Sequence, residues 1–241
     1  MANEFLSPSS VQTANSAVAL PRRSAAAWFW LRIRLLTAQR IAQDAVNPQL
    51  RRWASVPIAG SALQHAPVAG QCQSDVWTDG RADEFVLVAG KVENLRRAIR
   101  AFDGLEMPAG GVFSFWHQLG RATAGRGFVL GREVRAGCVV PAIAGGICQL
   151  SNALATAAQR AGLQLLERHG HTAQIEAGHA QTGTVDATVL WKHIDLRIAS
   201  LQPWRLEVAM DAQTLVVRIR VQGAAGKGVE AVAAPQPRHF P

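Results

Sequence analysis

Two runs near the C-terminal end constrain the fold more than any other feature of the chain. Residues 204–210 and 214–221 alternate large apolar side chains with polar or charged ones, separated only by Asp211-Ala212-Gln213. A period of two puts Trp204, Leu206 and Val208 on one strand face, and Leu215, Val217, Ile219 and Val221 on one face of the next. The pair therefore predicts an antiparallel hairpin with one buried side. Such a sheet needs a covering layer, and two upstream segments have helical spacing. Residues 92–102 place Val92, Leu95, Ile99 and Phe102 on one face before Asp103-Gly104. Leu150, Ala153, Leu154, Ala157, Ala158 and Ala161 do the same before Gly162. Helices followed by late hairpins predict an α+β fold, a single domain with disordered termini, in which helices pack on a mixed or antiparallel sheet.

The remaining segments are shorter. Residues 84–89 read as a buried strand and 60–70 as a connecting loop. Pro108-Ala109-Gly110-Gly111 is a turn before a strand marked by Val112, Phe113 and Phe115. Residues 120–131 read as an exposed loop, 139–144 as extended, and 163–167, 184–191 and 195–199 as strands. Trp116, Trp191 and Trp204 are expected within strands, as core or as walls of a cleft. Residues 1–24 and 223–241 lack sustained apolar periodicity and read as a disordered lead and tail. Between them, residues 26–55 form a basic helical segment, and 56–222 form the α+β domain.

Charge narrows the partners. The net charge of +8 suits an anionic partner, yet the arginines are dispersed and no aromatic-studded basic ladder stands out, which argues against specific nucleic-acid binding. Residues 26–45 carry Trp28, Trp30, Leu31, Ile33, Leu35, Leu36 and Ile41 among Arg32, Arg34 and Arg40. This basic amphipathic helix either makes peripheral contact with an anionic membrane or packs on the domain with its arginines outward. Cys72, Cys138 and Cys148 are odd in number and widely spaced, unlike a disulfide scaffold, which points to a reducing compartment. Met1–Ala19 lacks a basic start followed by an apolar run, and Arg32 and Arg34 interrupt the stretch after Arg22-Arg23, so a cytoplasmic location is expected.

The segment best suited to chemistry is Gly145-Gly146-Ile147-Cys148-Gln149, which joins an extended run to a helix. Cys148 then sits in the first helical turn, where unpaired N–H groups and the positive end of the helix dipole favour a thiolate. Gly145 and Gly146 allow a substrate backbone to approach, and nearby N–H groups are candidates for an oxyanion hole. A nucleophilic thiol needs a base and a group that orients it. His169 and His171, two apart on a strand, project to the same face and supply candidate bases. Asp186, Asp195 and Glu167 are candidate orienting carboxylates, with Asp195 favoured over Asp186. His117 is a candidate to line the same cleft, whereas His65, His179, His193 and His239 have no motif around them. Two alternatives stand beside this one: Cys148 as a small buried residue with structural histidines, and a zinc site from Cys148, His169 and His171, for which no fourth ligand presents itself. Cys72 and Cys138 are expected to be structural.

These residues carry a resemblance. Asn94-Leu95-Arg96, residues 108–115 (PAGGVFSF), Gly146-Ile147-Cys148-Gln149-Leu150-Ser151-Asn152, Glu167-Arg168-His169-Gly170-His171-Thr172, Ala187-Thr188-Val189 and Asp195-Leu196-Arg197 resemble the VanW family in order and spacing, over residues 92–197. Where the family has three glycines before the cysteine, this chain has Ala144-Gly145-Gly146, and Thr172 replaces a serine. The resemblance implies cell-wall precursors as the field of action, but no securely established reaction. Together these readings give a cysteine-dependent acyl or peptide transferase or hydrolase with a small-molecule or peptide-like substrate and no cofactor. Its expected catalytic residues are Cys148, His169, His171 and Asp195, with Gly145, Gly146, Gln149, Ser151, Asn152 and Arg168 facing the substrate. A non-catalytic accessory domain linked to glycopeptide resistance is the rival from another class.

Overall fold

The computed structural model describes residues 23–47, 60–77, 84–135, 138–170 and 183–222. The expected disordered lead and tail, His171, Thr172 and His179 lie outside the described residues. What is described is α+β, with three antiparallel sheets and four α-helices. The C-terminal hairpin forms as its alternation predicts: β8 (Trp204–Met210) pairs with β9 (Thr214–Val221), from Trp204 opposite Val221 to Met210 opposite Leu215. Asp211 closes the turn by accepting from the Gln213 and Thr214 N–H groups and from the Thr214 hydroxyl. These bonds also hold its carboxyl below the usual carboxylate range.

The hairpin lies in a four-stranded sheet of order β1-β9-β8-β2, with β1 at Val68–Asp75 and β2 at Glu106–Met107. The segment expected to be a loop before Gly70 thus holds the start of a strand. Helix α4 (Ile147–Arg160) lies on this sheet, and the contact is close. A Cβ on Gly70 would come 2.2 Å from the Ala157 carbonyl oxygen. Leu150, Leu154, Leu206, Leu215 and Ile219 are fully buried between the two layers, each such side chain contributing roughly 1.5–3 kcal/mol.

Helix α2 (Phe85–Ile99) starts earlier than the sequence suggests. The run Phe85-Val86-Leu87-Val88-Ala89 is apolar enough to pass for a buried strand, but Phe85 and Val86 are exposed. Val88 is buried and joins Val92 and Leu95 at helical spacing. α2 packs against α4, β8 and the two-stranded sheet of β4 (Leu130–Arg135) and β5 (Cys138–Ile143). Leu130 therefore ends the expected 120–131 loop inside a strand. Cys138, expected to be structural, is exposed, whereas Cys72 is buried.

A third sheet has the order β3-β7-β6, with β3 at Val112–Ser114, β7 at Arg197–Ala199 and β6 at Gln164–Glu167. Phe115 opens a short helix, α3 (Phe115–Leu119), instead of extending β3, because the Ser114 hydroxyl caps it by accepting from His117 N–H. Trp116 is therefore helical, and its ring meets Trp191 edge-on at 5.4 Å. Trp191 itself lies in a turn. The segment 184–191 is not a strand. Its strand-like pairing among the described residues is limited to the bridges His169 to Thr188 and Leu190 to Ile194. Its backbone groups are met by α4 side chains instead. Asn152 accepts from Ala187 N–H, Thr156 accepts from Val185 N–H, and the Ser151 hydroxyl donates to the Ala187 carbonyl.

Candidate functional site

α4 starts on Gly146, whose φ of +96° is left-handed. Cys148 is the second residue of the helix and is half-buried. Its Sγ lies 3.9 Å from Thr188 Oγ1 and 4.0 Å from the Val189 carbonyl oxygen. Thr188 in turn pairs with His169, donating its N–H to the His169 carbonyl at 2.8 Å. Paired residues of an antiparallel bridge send their side chains to the same face. Thr188, a residue that cysteine, histidine or carboxylate chemistry alone does not single out, therefore lies against the thiol and is paired through its backbone with His169. Its only signal was its place in the Ala187-Thr188-Val189 match. His169 is not among the hydrogen-bond partners described for Cys148, and its side chain is 53% exposed.

The carboxylate beside His169 is Glu167, with Oε1 3.8 Å from Nε2. Asp195, the favoured orienting group, does other work. Its buried carboxylate accepts from the Ser114 hydroxyl at 2.6 Å, the Trp116 and Leu196 N–H groups, and Arg197 Nε. It anchors the start of α3. Burial pushes its carboxyl up, against the pull of Ser114, Trp116 and Arg197. His117, on α3, has its imidazole pushed down, chiefly by desolvation.

Four residues expected to face the substrate are engaged by the chain itself. Gln149 donates to Ser74 Oγ and the Asp75 carbonyl, Ser151 and Asn152 hold residue 187, and Arg168 donates to the Asp186 carbonyl. The glycines are occupied as well. A Cβ on Gly145 would lie 2.3 Å from the Gly131 carbonyl oxygen, and one on Gly146 would lie 2.0 Å from Lys91 Cγ. What approaches these glycines is the β4–β5 sheet and α2, not open space. The N–H groups of Gly145, Ile147 and Gln149 bond to Ala142, Ala144 and Gly146 carbonyls, so an oxyanion hole cannot draw on them without rearrangement. Buried Asn94 staples the arrangement, donating to the Val129 and Gly145 carbonyls and accepting from Val129 N–H.

Lys91, crossing Gly146, is 5% exposed and has no carboxylate in ion-pair reach among the described residues. Desolvation, helped by Arg132, lowers its ammonium to about 8. A lysine whose folded value lies below its unfolded 10.5 destabilises the fold when protonated, and the penalty is relieved as pH rises from about 8 to 10.5. Lys91→Met is therefore expected to stabilise the protein by roughly 2–3 kcal/mol at pH 7. The gain should shrink towards pH 10.5, which urea denaturation at both pH values would measure.

Among the described residues, no three His, Cys, Asp or Glu side chains group as a metal-ligand set.

A family model described as "VanW like protein" matches residues 90–220, more than half of the chain. Over 104 residues the sequence is 33% identical to the uncharacterized protein YoaR of Bacillus subtilis (strain 168), covering 43% of this chain and 33% of that protein. Over 117 residues it is 30% identical to the vancomycin B-type resistance protein VanW of Enterococcus faecalis (strain ATCC 700802 / V583), covering 48% of this chain and 42% of that protein. The matched segments thus span well under half of either relative. No solved structure matches.

Proposed function

We infer that this chain, which belongs to the VanW family, is a cytoplasmic cysteine-dependent enzyme of acyl transfer or hydrolysis on amide or peptide-like substrates, with cell-wall precursors as the field. One observation carries this reading: Cys148 in the first turn of α4 touches Thr188, which is bridged to His169, itself beside Glu167. His169 takes the thiol proton as sulfur attacks the substrate carbonyl. The C–N bond then breaks, the amine leaves with that proton, and a thioester remains on Cys148. Water or an acceptor amine, deprotonated by His169, cleaves the thioester and restores the thiol. His171, outside the described residues, is the second candidate base. One relative's name ties that protein to vancomycin resistance, and a role for this chain in that resistance is part of the same proposal.

The test is adduct formation. Exposed Cys138 would react with any electrophile, so Cys138→Ser is the background; Cys72 is buried with its thiol pushed up and stays silent. With a peptidyl thioester, intact mass should show one acyl group on Cys148, absent in Cys148→Ser and formed at least about tenfold more slowly in His169→Ala. No adduct, or one indifferent to His169, would overturn the reading.

A second reading has its own support, since Gln149, Ser151, Asn152 and Arg168 spend their hydrogen bonds within the chain. In an accessory domain that binds without turnover, ligand affinity survives Cys148→Ser and no adduct forms.

A further inference from the structure

We propose that the outward face of α1 (Arg23–Val46) docks on an anionic phospholipid surface. Among the described side chains of this helix, Arg40 and Asp44 make polar contacts with the domain on one side. Arg40 pairs with Glu167 at 2.5 Å and donates to the His193 carbonyl, and Asp44 pairs with Arg197 at 2.6 Å. The arginine outward, apolar inward packing allowed by the sequence is thus reversed at these positions. Trp28, Leu31 and Leu35 are 71%, 54% and 61% exposed. With exposed Ala38, Ala42 and Val46 they follow steps of three and four and form one apolar stripe. A protein gains nothing by showing such a stripe to water.

Charge selects the occupant. Residues 20–55 hold seven arginines, at 22, 23, 32, 34, 40, 51 and 52, and a single acidic residue, Asp44. Most of the chain's net charge of +8 falls here, and the one carboxylate is turned inward to Arg197. An apolar stripe with Trp and Leu, exposed Arg34 at its flank and no acidic side chain suits an anionic lipid interface, where the ring and leucines enter the headgroup boundary and Arg34 meets phosphate. A nucleic acid would leave the stripe unburied, and a second copy would bring like-charged arginines together. No described helix is long and apolar enough to cross the bilayer, so the contact lies on the surface. The inward pairs tie α1 to Glu167, so docking would hold the His169 side of the domain near the membrane.

The experiment sediments the full chain with vesicles of phosphatidylglycerol and phosphatidylcholine, and with phosphatidylcholine alone. Binding is expected only to the anionic vesicles, falling with added salt. Leu31→Glu with Leu35→Glu should lower the bound fraction on the order of tenfold. Because both side chains are exposed, the melting temperature of that variant should match the parent's. Equal binding to neutral vesicles, unchanged binding by the variant, or no binding at low salt would each overturn the proposal. So would a dimer that the variant dissolves while vesicles stay unbound, or preference for a duplex oligonucleotide over vesicles.

Discussion

Asp195→Ala is expected to destabilise the fold by about 3–5 kcal/mol at pH 7, measured by urea denaturation. The carboxylate is buried and accepts from four donors, among them the Trp116 and Leu196 backbone N–H groups. Alanine would leave those amides and the Ser114 hydroxyl without an acceptor in the interior, and would leave half-buried Arg197 with Asp44 and Glu167 as its counter-charges among the described residues. The start of α3 and the Trp116–Trp191 contact should loosen first. Asp195→Asn keeps an acceptor oxygen and should cost less, with a pH dependence of definite sign. Burial raises the native carboxyl above its unfolded 3.8, so the folded state holds the proton more tightly. The contribution of Asp195 is thus greatest below pH 3.8 and falls as pH rises through the raised native value. The cost of Asp195→Asn should accordingly be larger at pH 3.5 than at pH 7, a difference in which the other carboxylates cancel.

Asp195 also illustrates what a sequence can and cannot reveal. Its position near the histidines made it a natural partner for one of them, but a carboxylate's role depends on which donors surround it. Here two of the four donors come from residues 114 and 116, about 80 positions away. The hairpin of β8 and β9 was legible because alternation of period two is a local signal that one buried face enforces. α4 was legible for the same reason at helical period, together with its glycine boundaries. α2 was half legible: Val92 and Leu95 declared a helix, while the continuous apolar run from Phe85 has no period and reads equally well as strand. The segment 184–191 was misread because its backbone is satisfied by Asn152, Ser151 and Thr156 of α4. Long-range side-chain to backbone bonding leaves no periodic trace. Polar side chains beside a cysteine suggest substrate binding, which is why the sequence points these same residues at a substrate. They hold the segment that carries Thr188 instead. Lys91 carries a readable signal, a lysine one position from Val92 on the buried side of α2. The orientation of α1 depended on Glu167 and Arg197 being neighbours across β6 and β7, which only the register of those strands shows.

Gly145→Ala and Gly146→Ala should both be severe, for different reasons that a third substitution separates. At Gly145 the obstacle is backbone: an added Cβ falls 2.3 Å from the Gly131 carbonyl oxygen and 3.0 Å from that of Ala142. Nothing there is a flexible side chain, so α4 and the β4–β5 sheet must move apart. This would strain the Asn94 bonds to Val129 and Gly145 and shift Cys148 relative to Thr188. A loss of about 3 kcal/mol or more is expected. At Gly146 the left-handed φ of +96° costs an alanine roughly 1–2 kcal/mol, and the steric obstacle is the Lys91 chain, with Cγ at 2.0 Å and Cδ at 3.0 Å. Lys91→Ala removes both atoms and leaves Cβ at 2.9 Å. It should therefore recover about 1–2 kcal/mol of the Gly146→Ala loss beyond its own effect, and none of the Gly145→Ala loss. Urea denaturation of the two double-mutant cycles reads the difference. Equal coupling in both would mean that the two glycines are not separately wedged, one against backbone and one against Lys91. Zero coupling at Gly146 would mean that its φ alone carries the cost. The start of α4 is thus set from behind by α2 and the β4–β5 sheet, which leaves its Cys148 side to face Thr188 and whatever molecule reaches it.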